Sequence, residues 1–278
     1  MAQLSPHLFL LNVPKFKEIL SQKESKFQSS NIFRELQRLS TLKNFVKSST
    51  LTLRSIVHAE CERFDQLQRS FNDDNQHDAA EFLNSILEHL FRHHEFISLK
   101  ETVFGGLSQK TMFCQTQNCN QTDQLQIEPI SEIIPIEFVG YTLESCLENL
   151  FSPEEVERRC EHCGGNNSTQ VTTFIQEPAT LFLQLNRFRY SPLDGQAIKL
   201  NEPLMFPPVI QLPSGSSYRL VATVNHLGET TNSGHYIALL YDHDTDRFTL
   251  VDDSSVIHSV EMNEDISEQV YLLVYVRD

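Results

Sequence analysis

The stretch Ser233–Asp253, SGHYIALLYDHDTDRFTLVDD, predicts a β-hairpin with reactive groups at its open end. Two apolar strands, YIALLY and RFTLV, flank the polar cluster DHDTD, a composition typical of hairpin turns. If the hairpin is symmetric about the peptide bond between His243 and Asp244, His235 faces Asp252. Facing residues of an antiparallel pair have Cβ atoms about 4.5 to 5.5 Å apart on one side of the sheet. The hairpin therefore brings an imidazole and a carboxylate within hydrogen-bonding reach.

A histidine held by a carboxylate has two interpretations when the hairpin is taken alone. The carboxylate can fix the tautomer and orientation of the imidazole, which then acts as a general base toward a nucleophile. An ordinary ion pair on a surface hairpin places the same two side chains together without any catalytic role. The rest of the chain has to distinguish between them.

Length and charge restrict the class of protein. The chain has 278 residues and a formal net charge of −15, which disfavours nucleic acid and anionic membranes as partners and favours a ligand with basic groups. No apolar run approaches the roughly 18 residues of a membrane span. The apolar His7–Val13 has neither the length nor the flanks of a signal peptide. We expect an intracellular protein of the cytoplasm, the nucleus or both, with reduced cysteines.

The chain divides by pattern into a helical part and a part dominated by strands. Up to about residue 97 apolar positions recur at helical spacing, most clearly in a helix predicted over Gln76–His93. Beyond it come short β-like segments, such as Thr102–Phe104 and Glu132–Phe138, and strands dominate from Ala179 onward. The resulting prediction is an α+β fold. One late strand is predicted to present a single apolar face made of Tyr218, Leu220, Ala222 and Val224.

Two acidic residues, Asp78 and Glu81, fall off the apolar stripe of the predicted helix, on the polar side of its first turn. Acids at that position commonly compensate the helix dipole, which is worth a few tenths of a kcal/mol each. Taken alone, the two residues therefore indicate a helix start and no ligand.

Four of the six cysteines form two pairs, Cys114 with Cys119 and Cys160 with Cys163. The second pair, in RCEHCGG, has the C-x-x-C spacing and following glycines of a zinc knuckle, whereas the first has four intervening residues. Two pairs about 40 residues apart predict a four-thiolate structural zinc site that staples two β-hairpins in place of a hydrophobic core. The alternative is that the four thiols are reduced and unbound.

These motifs resemble one family in their order along the chain. QHDAAEFLNSIL, at Gln76–Leu87, resembles the Q-x-D-x-x-E-F-L helix of the ubiquitin-specific proteases, and LFLQLNRF, at Leu181–Phe188, resembles their central strand. YRLVATVNHLGETTNSGHYIALL followed by FTLVDDSSV resembles their histidine box. Cysteine pairs stand where the family has its zinc-binding fingers. From about His7 to Asp278 the chain is identified as a member of this family.

The resemblance implies a papain-like cysteine protease fold in three parts of one domain. The parts would be a helical thumb over residues 1–97, zinc-stapled β fingers over 98–176 and a β palm over 177–278. The family reaction is thiol-dependent hydrolysis after the C-terminal glycine of ubiquitin, so the implied partner is ubiquitin or a ubiquitinated protein. We expect a monomer.

The resemblance also assigns roles to residues of this sequence. His235 would be the general base, Asp252 the residue that orients it, and Asp253 the nearest alternative carboxylate. Asp78 and Glu81 match acids that contact the basic C-terminal tail of ubiquitin, and this interpretation replaces dipole compensation for both.

The family nucleophile has no match in the chain. It lies in a box resembling G-N-T-C-Y-M-N-S-x-L-Q-A-L-F, and alignment of the closing L-F with Leu8 and Phe9 places Met1 two residues after the cysteine. Cys61, in a polar helical context, and Cys146, on a predicted helix, are not credible replacements. Loss of the nucleophile of such a triad costs several orders of magnitude in rate. The prediction is a domain that, as given, binds ubiquitin without cleaving it.

Two alternatives stay open at this point. The chain is an active deubiquitinase whose start is mispredicted or truncated, or it is a zinc-stapled interaction module with another ligand. The histidine box has no role in the second alternative.

Overall fold

The computed structural model of the chain describes residues 10–21, 30–41, 47–64, 71, 77–191, 196–230, 233–253 and 255–278. Residues 1–9, which hold the match to the end of the cysteine box, and Gln76 lie outside these described residues. Within them, helices dominate up to residue 104 and strands from residue 107 onward. The α+β prediction is therefore confirmed.

Among the described residues up to Phe91, four helices bury their apolar residues in a common core. Side chains such as Phe16, Leu36 and Phe82 are withdrawn from solvent there. None of the described helices is long and apolar enough to cross a membrane. In chain order they are α1 (Pro14–Ser21), α2 (Asn31–Ser40), α3 (Lys47–Phe64) and α4 (Ala79–Phe91).

The helix predicted over Gln76–His93 is present as α4, with narrower bounds. Asp78 is extended, with φ −69° and ψ 133°, and its side chain accepts hydrogen bonds from the backbone N–H groups of Ala80 and Glu81. This is the geometry of an N-cap, which satisfies donors that the first helical turn leaves unpaired. Asp78 therefore precedes the first turn, whereas Glu81 lies within it as predicted.

The prediction of a β-like segment at Thr102–Phe104 is wrong. Val103 and Phe104 are buried in the core of the helices, and the Thr102 hydroxyl donates to the Ser98 carbonyl oxygen at 2.7 Å. Packing against the helices overrides the strand preference of β-branched residues here. After α4 come a 3₁₀ turn (His94–Phe96), α5 (Ile97–Leu99) and a π-helical turn (Lys100–Phe104), and this last turn takes the place of the predicted strand.

The remainder of the chain forms two main sheets, with the helices α6 (Leu143–Phe151) and α7 (Glu264–Ser267) between strands. The four-stranded sheet has the order β2-β1-β5-β4, and the eight-stranded sheet has the order β13-β12-β11-β10-β14-β6-β3 with β9 paired to β10. Strands β7 and β8 form a separate pair. The strands are β1 (Leu107–Cys114), β2 (Thr122–Pro129), β3 (Ile133–Glu137), β4 (Glu154–Glu157), β5 (Asn167–Gln176), β6 (Thr180–Asn186), β7 (Phe188–Ser191), β8 (Gln196–Lys199), β9 (Val209–Gln211), β10 (Ser217–Thr230), β11 (Ser233–Asp242), β12 (Arg247–Asp252), β13 (Ser255–Val260) and β14 (Val270–Arg277).

The central strands of the eight-stranded sheet are covered on both faces. One face, with side chains such as Phe182 and Leu272, joins the core of helices α1 to α4, which we call the helix-side core. The other face, with side chains such as Leu183 and Leu273, packs on α6 to form the far-side core. Central strands β6 and β14 are apolar at consecutive positions because both of their faces are buried.

Strand β10 changes faces along its length, contrary to the single apolar face predicted for it. Tyr218 and Leu220 pack in the far-side core, whereas Ala222 and Val224 pack in the helix-side core. The pairing with β14 shifts by one residue between Leu220 and Ala222. A β-bulge of this kind moves the following side chains to the opposite face of the sheet.

The hairpin of β11 and β12 is present, but its turn lies one residue later than predicted. Pairs run from Asp242 opposite Arg247 to Ala238 opposite Val251, so the turn is centred between Asp244 and Thr245. The predicted centre would have paired Asp242 with Thr245. Each partner is displaced by two positions, and every side chain therefore keeps the face that the prediction gave it.

Candidate functional site

His235 and Asp252 meet at the open end of the β11–β12 hairpin. His235 Nε2 lies 2.5 Å from Asp252 Oδ1. Both side chains are partly accessible, with 26% of the His235 side chain and 43% of the Asp252 side chain exposed. The two groups are therefore in contact, diagonally across the hairpin, although the predicted register was wrong.

The contact fixes which nitrogen of His235 can accept a proton. Because Asp252 accepts a hydrogen bond from Nε2, the neutral imidazole carries its proton on Nε2 and has its lone pair on Nδ1. An imidazole in this state can take a proton at Nδ1, and the carboxylate at Nε2 stabilises the imidazolium that results. The arrangement permits general-base chemistry at Nδ1.

Asp253 adds a second carboxylate beside the imidazole. Its backbone is in the left-handed region, with φ 49°, immediately after β12. One ligand atom from each of His235, Asp252 and Asp253 lies within 4.8 Å of the others. A histidine with two carboxylates can also hold a metal ion, so the set has two possible uses.

The strand that carries His235 packs on a buried imidazole of β10. His226 is 1% exposed, and burial lowers its pKa to about 4, with the positive charge of Lys199 adding to the effect. A Cβ atom on Gly234 would collide with His226 Nε2 and with the Leu227 carbonyl oxygen. The glycine before His235 therefore permits close approach of the two strands, and His226 is a neutral packing residue.

The carboxylate of Asp78 contacts both its own helix and the eight-stranded sheet. Its Oδ1 accepts from the backbone N–H groups of Ala80 and Glu81, each at 2.9 Å. Its Oδ2 accepts from the Tyr271 hydroxyl at 2.5 Å and from the Tyr236 hydroxyl at 3.4 Å. Residues from α4, β11 and β14 therefore meet at this one side chain.

The two acids that the sequence grouped together have different surroundings. Glu81 is exposed on the first turn of α4, whereas Asp78 is bound by donors of the protein itself. Tyr236, one of those donors, directly follows His235 on β11. The N-terminus of α4 is thus connected to the strand that carries the candidate base.

The four paired cysteines come together where β1 ends and β5 begins. Their Sγ atoms are 3.6 Å apart for Cys114 and Cys163 and 3.9 Å apart for Cys119 and Cys160, and all four lie within 4.8 Å of one another. Four sulfurs around a tetrahedral zinc at about 2.3 Å are about 3.8 Å apart. The four residues can therefore hold a metal ion, and their spacing fits zinc.

The turn of the second cysteine pair favours a thiolate. The Gly165 N–H donates to Cys163 Sγ at 3.5 Å and lowers the pKa of the Cys163 thiol. Gly164 adopts φ 74°, and its N–H donates to the Cys160 carbonyl oxygen at 2.8 Å. A C-x-x-C turn closed by glycines, with one N–H group aimed at a cysteine sulfur, is suited to metal binding.

The other two cysteines are core residues. Cys61, which the sequence placed in a polar helical context, is fully buried on α3 in the helix-side core. Cys146 lies on α6, as predicted, in the far-side core with its Sγ 3.5 Å from the Val139 carbonyl oxygen. Burial raises the pKa of Cys146, which keeps its thiol protonated and poorly nucleophilic.

Among the described residues, two buried cations, Arg187 and Lys199, were not predicted. Arg187 follows an apolar strand in LFLQLNRF, and a charge at that position was the signal that could have revealed it. No local pattern marks Lys199, because its partners lie 27 to 70 residues further along the chain. Arg187 donates to the carbonyl oxygens of Val270, Leu200, Glu202 and Ser267. Lys199 Nζ donates to the carbonyl oxygens of His226 and Gly228 and to Gln269 Oε1.

Comparison with known proteins agrees with the sequence motifs. The family model described as ubiquitin carboxyl-terminal hydrolase matches residues 8–275. The probable ubiquitin carboxyl-terminal hydrolase 8 of Schizosaccharomyces pombe is 28% identical over 178 residues, which cover 62% of this chain and 38% of that protein. Ubiquitin carboxyl-terminal hydrolase 8 of Saccharomyces cerevisiae is 29% identical over 195 residues, covering 63% and 40%. The chain therefore spans about two fifths of the length of these relatives.

Solved structures share the fold of the whole chain. The SAGA Ubp8/Sgf11/Sus1/Sgf73 DUB module bound to ubiquitin aldehyde matches with a TM-score of 0.77 at 20% identity, covering 100% of this chain and 70% of that chain. The SAGA DUB module bound to monoubiquitin matches with a TM-score of 0.75 at 21% identity, covering 100% and 69%. At these identities the likeness establishes the fold, and the predicted fold class is confirmed.

Proposed function

Because the chain belongs to the ubiquitin carboxyl-terminal hydrolase family, that of the ubiquitin-specific proteases, we propose that it recognises ubiquitin and its C-terminal tail. The family reaction is hydrolysis of the bond after the C-terminal glycine of ubiquitin, the chemistry of deubiquitination. The observation that carries the proposal is the contact of His235 Nε2 with Asp252 Oδ1 at 2.5 Å. It supports a base with Nδ1 available and an orienting carboxylate behind it.

In the family reaction, a base in the position of His235 would take the proton of a thiol at Nδ1 and later return it to the leaving amine. Asp252 holds the tautomer and stabilises the charged imidazole, and Asp253 is the alternative carboxylate. The exposed Glu81, with Asp78 beside it, serves the basic tail of ubiquitin. A carboxylate on the accessible side of a helix N-terminus suits a basic, extended ligand.

We propose that these 278 residues bind ubiquitin without cleaving it. The cysteines of the sequence support this, because four lie in the candidate metal site and Cys61 and Cys146 are buried in the two cores. A thiol buried in an apolar core lacks the access and the pKa of a nucleophile. The alternative is an active deubiquitinase whose start is mispredicted or truncated.

The test is reaction with a ubiquitin probe that carries a thiol-reactive group at its C-terminus. We expect the chain to bind ubiquitin in a titration and to leave the probe unreacted. A variant extended by Gly-Asn-Thr-Cys-Tyr before Met1 is expected to react, because the added thiol would meet a base that is already oriented. Reaction of the unextended chain would overturn the proposal of binding without cleavage.

Matched controls isolate the role of the base. In the extended variant, His235→Ala is expected to lower the rate of probe reaction by at least about a hundredfold, the usual contribution of a positioned base. Replacement of the added cysteine by serine should abolish reaction altogether. If His235→Ala reacts as fast as its parent, His235 and Asp252 form an ordinary surface pair.

We also propose zinc as the metal of the four cysteines, with a purely structural role. Zinc prefers four thiolates in tetrahedral geometry, and a closed set leaves no position for a substrate. The division into thumb, fingers and palm at residues 97 and 176 is proposed on the same family basis. It is supported by helical elements that run to residue 104 and by a four-stranded sheet whose strands lie within residues 107–176, whereas β3 and α6 of that range pack with the eight-stranded sheet.

The proposed partner is ubiquitin or a ubiquitinated protein, bound by a monomer in the cytoplasm, the nucleus or both. The net charge of −15 supports a partner with basic groups and opposes nucleic acid and anionic membranes. It also opposes close association of identical copies.

A further inference from the structure

The Asp78 carboxylate is saturated by donors of the protein. A carboxylate has about four lone-pair positions, and four hydrogen bonds from protein donors converge on this one. Two come from the backbone of α4 through Ala80 and Glu81, and two come from the hydroxyls of Tyr271 and Tyr236. A direct contact with a basic ligand would have to compete with these donors.

The hydroxyls of Tyr236 and Tyr271 stay protonated and therefore act as hydrogen-bond donors. Tyr236 is 4% exposed and Tyr271 is 2% exposed. Burial, together with the negative charge of Asp78, raises the pKa of both hydroxyls, so they stay protonated. Gln184 Nε2 donates to the Tyr271 hydroxyl oxygen at 2.6 Å, which turns the Tyr271 proton toward Asp78. The chain Gln184, Tyr271, Asp78 thus runs from β6 through β14 to the cap of α4.

We propose that Asp78 is a positioning residue, which fixes the N-terminus of α4 on the eight-stranded sheet through Tyr271 and Tyr236. Held this way, the exposed Glu81 is kept in place for the C-terminal tail of ubiquitin, next to the strand that carries His235. The inference rests on the proposed function, since it names ubiquitin as the ligand. It differs from the resemblance in giving Asp78 an indirect role.

A direct ligand and a positioning residue predict different behaviour of the tyrosine. If Asp78 binds the tail itself, removal of the Tyr271 hydroxyl frees Asp78 and leaves affinity unchanged or raises it. If Asp78 acts by holding α4 on the sheet, the Tyr271 hydroxyl is as important as the carboxylate. Loss of either partner then has the same effect, and loss of both adds little.

The experiment is a double-mutant cycle with Asp78→Asn and Tyr271→Phe. Asparagine keeps the helix cap, because Asn and Asp are equally good N-caps, but it presents a donor to a hydroxyl that already accepts from Gln184. Affinity is measured for ubiquitin and for ubiquitin that lacks its C-terminal tail. The matched control is Tyr275→Phe, on the same strand, which removes a hydroxyl bound to the Pro207 carbonyl oxygen at 2.7 Å.

We expect each single variant to weaken the binding of ubiquitin about tenfold, and the double variant to be no weaker than about the worse single variant. Binding of tail-less ubiquitin should change less than about twofold in all three variants, and Tyr275→Phe should bind both ligands normally. Loss with Asp78→Asn alone, additive losses, or equal losses for the two ligands would each overturn the positioning role.

The proposed function can fail separately from this inference. Absence of binding by the unmodified chain would overturn ubiquitin as the ligand, and with it the purpose given to Asp78. The contact of Asp78 with Tyr271 is then tested by the urea unfolding midpoints of the unmodified chain, the two single variants and the double variant. Additive shifts for Asp78→Asn and Tyr271→Phe would overturn it, and non-additive shifts would support it.

Discussion

Arg187 is fully buried, and backbone carbonyl oxygens accept the hydrogen bonds of its side chain. Its guanidinium donates to four carbonyls from two stretches of chain, residues 200–202 and 267–270, and stacks on the Phe138 ring at 4.5 Å. Burial lowers its pKa to about 10, which still leaves the group charged at neutral pH. The planar fork of arginine suits such a set of fixed acceptors better than any other side chain.

Replacement of Arg187 is therefore expected to destabilise the whole domain. Arg187→Met fills most of the same space but leaves four buried carbonyls without their donor, and we expect a loss of about 3 to 5 kcal/mol in unfolding free energy. Urea unfolding followed by circular dichroism measures it. The control is Arg189→Met, since Arg189 is 54% exposed, and its loss should stay below about 1 kcal/mol. Equal losses for the two variants would contradict this account.

His226 makes the stability of the fold depend on pH. Its pKa is about 4 in the folded chain against 6.5 for an unperturbed histidine, because the ring is buried and Lys199 is near. Below pH 6.5 the unfolded chain gains a proton that the folded chain excludes, so stability present at pH 7 is lost as the pH falls toward 4.

Between pH 7 and pH 5 this histidine is expected to reduce the unfolding free energy by about 2 kcal/mol. In His226→Phe, the difference in unfolding free energy between pH 7 and pH 5 should be smaller by about 2 kcal/mol. This holds whether or not the substitution changes stability at pH 7. His258→Gln serves as the control, because His258 is exposed on β13, and should retain the pH dependence of the parent. Chemical unfolding at the two pH values gives all three numbers. An unchanged difference in His226→Phe would mean that another group titrates.

At the scale of elements, the four-stranded sheet has little apolar burial of its own. Its strands carry few large buried side chains, with Met112 as one of them, and β2 is exposed at almost every position. A sheet with so little apolar burial needs another source of stability, and a metal that joins two turns provides one.

We expect about one zinc per chain, and its loss should loosen the turns that hold the ligands. Cys160→Ser is expected to lower the metal content well below one and to speed amide exchange in residues 114–121 and 158–168. His162 is exposed in the same turn, and His162→Ser should leave the metal content and the amide exchange rates unchanged. Elemental analysis and hydrogen exchange measure them. A ratio near two would point to a second metal at His235, Asp252 and Asp253, and a ratio far below one in the unmodified chain would rule out the site.

The bulge in β10 explains how one strand serves both cores. Its first half pairs with β9 and β14 and faces α6, whereas its second half faces the helices and carries His226. Simple alternation cannot anticipate such a change, because the apolar residues keep a period of two on either side of it. The same strand then pairs with β11 and places Gly234 against His226.

At the scale of the whole molecule, a net charge of −15 acts at a distance. If ubiquitin approaches with its basic tail toward Glu81, the field of the chain should speed the encounter. We expect the association rate to fall about tenfold between 50 and 500 mM NaCl, with a much smaller change in the dissociation rate. Surface plasmon resonance at several salt concentrations measures both. An association rate independent of salt would contradict electrostatic steering.

Sequence alone determined those features that depend on neighbours along the chain. Local periodicity predicts the helix that follows Asp78, and turn composition predicts the hairpin that carries His235 and Asp252. Spacing along the chain identifies the cysteine pairs. The predicted register of the hairpin was wrong, but the predicted faces of its side chains were right. A turn displaced by one residue moves each partner by two positions and leaves His235 and Asp252 on the same face.

Only the tertiary structure decided which distant groups meet. Asp78 contacts Tyr271 from 193 positions away, Arg187 bonds carbonyls up to 83 positions away, and the cysteines pair between turns rather than within them. The strand predicted at Thr102–Phe104 was wrong for the same reason, because burial against the helices outweighed the local preference for a strand. Local pattern encodes which face of an element is apolar, but partners across the core are set by packing and by the need to satisfy every buried donor and acceptor.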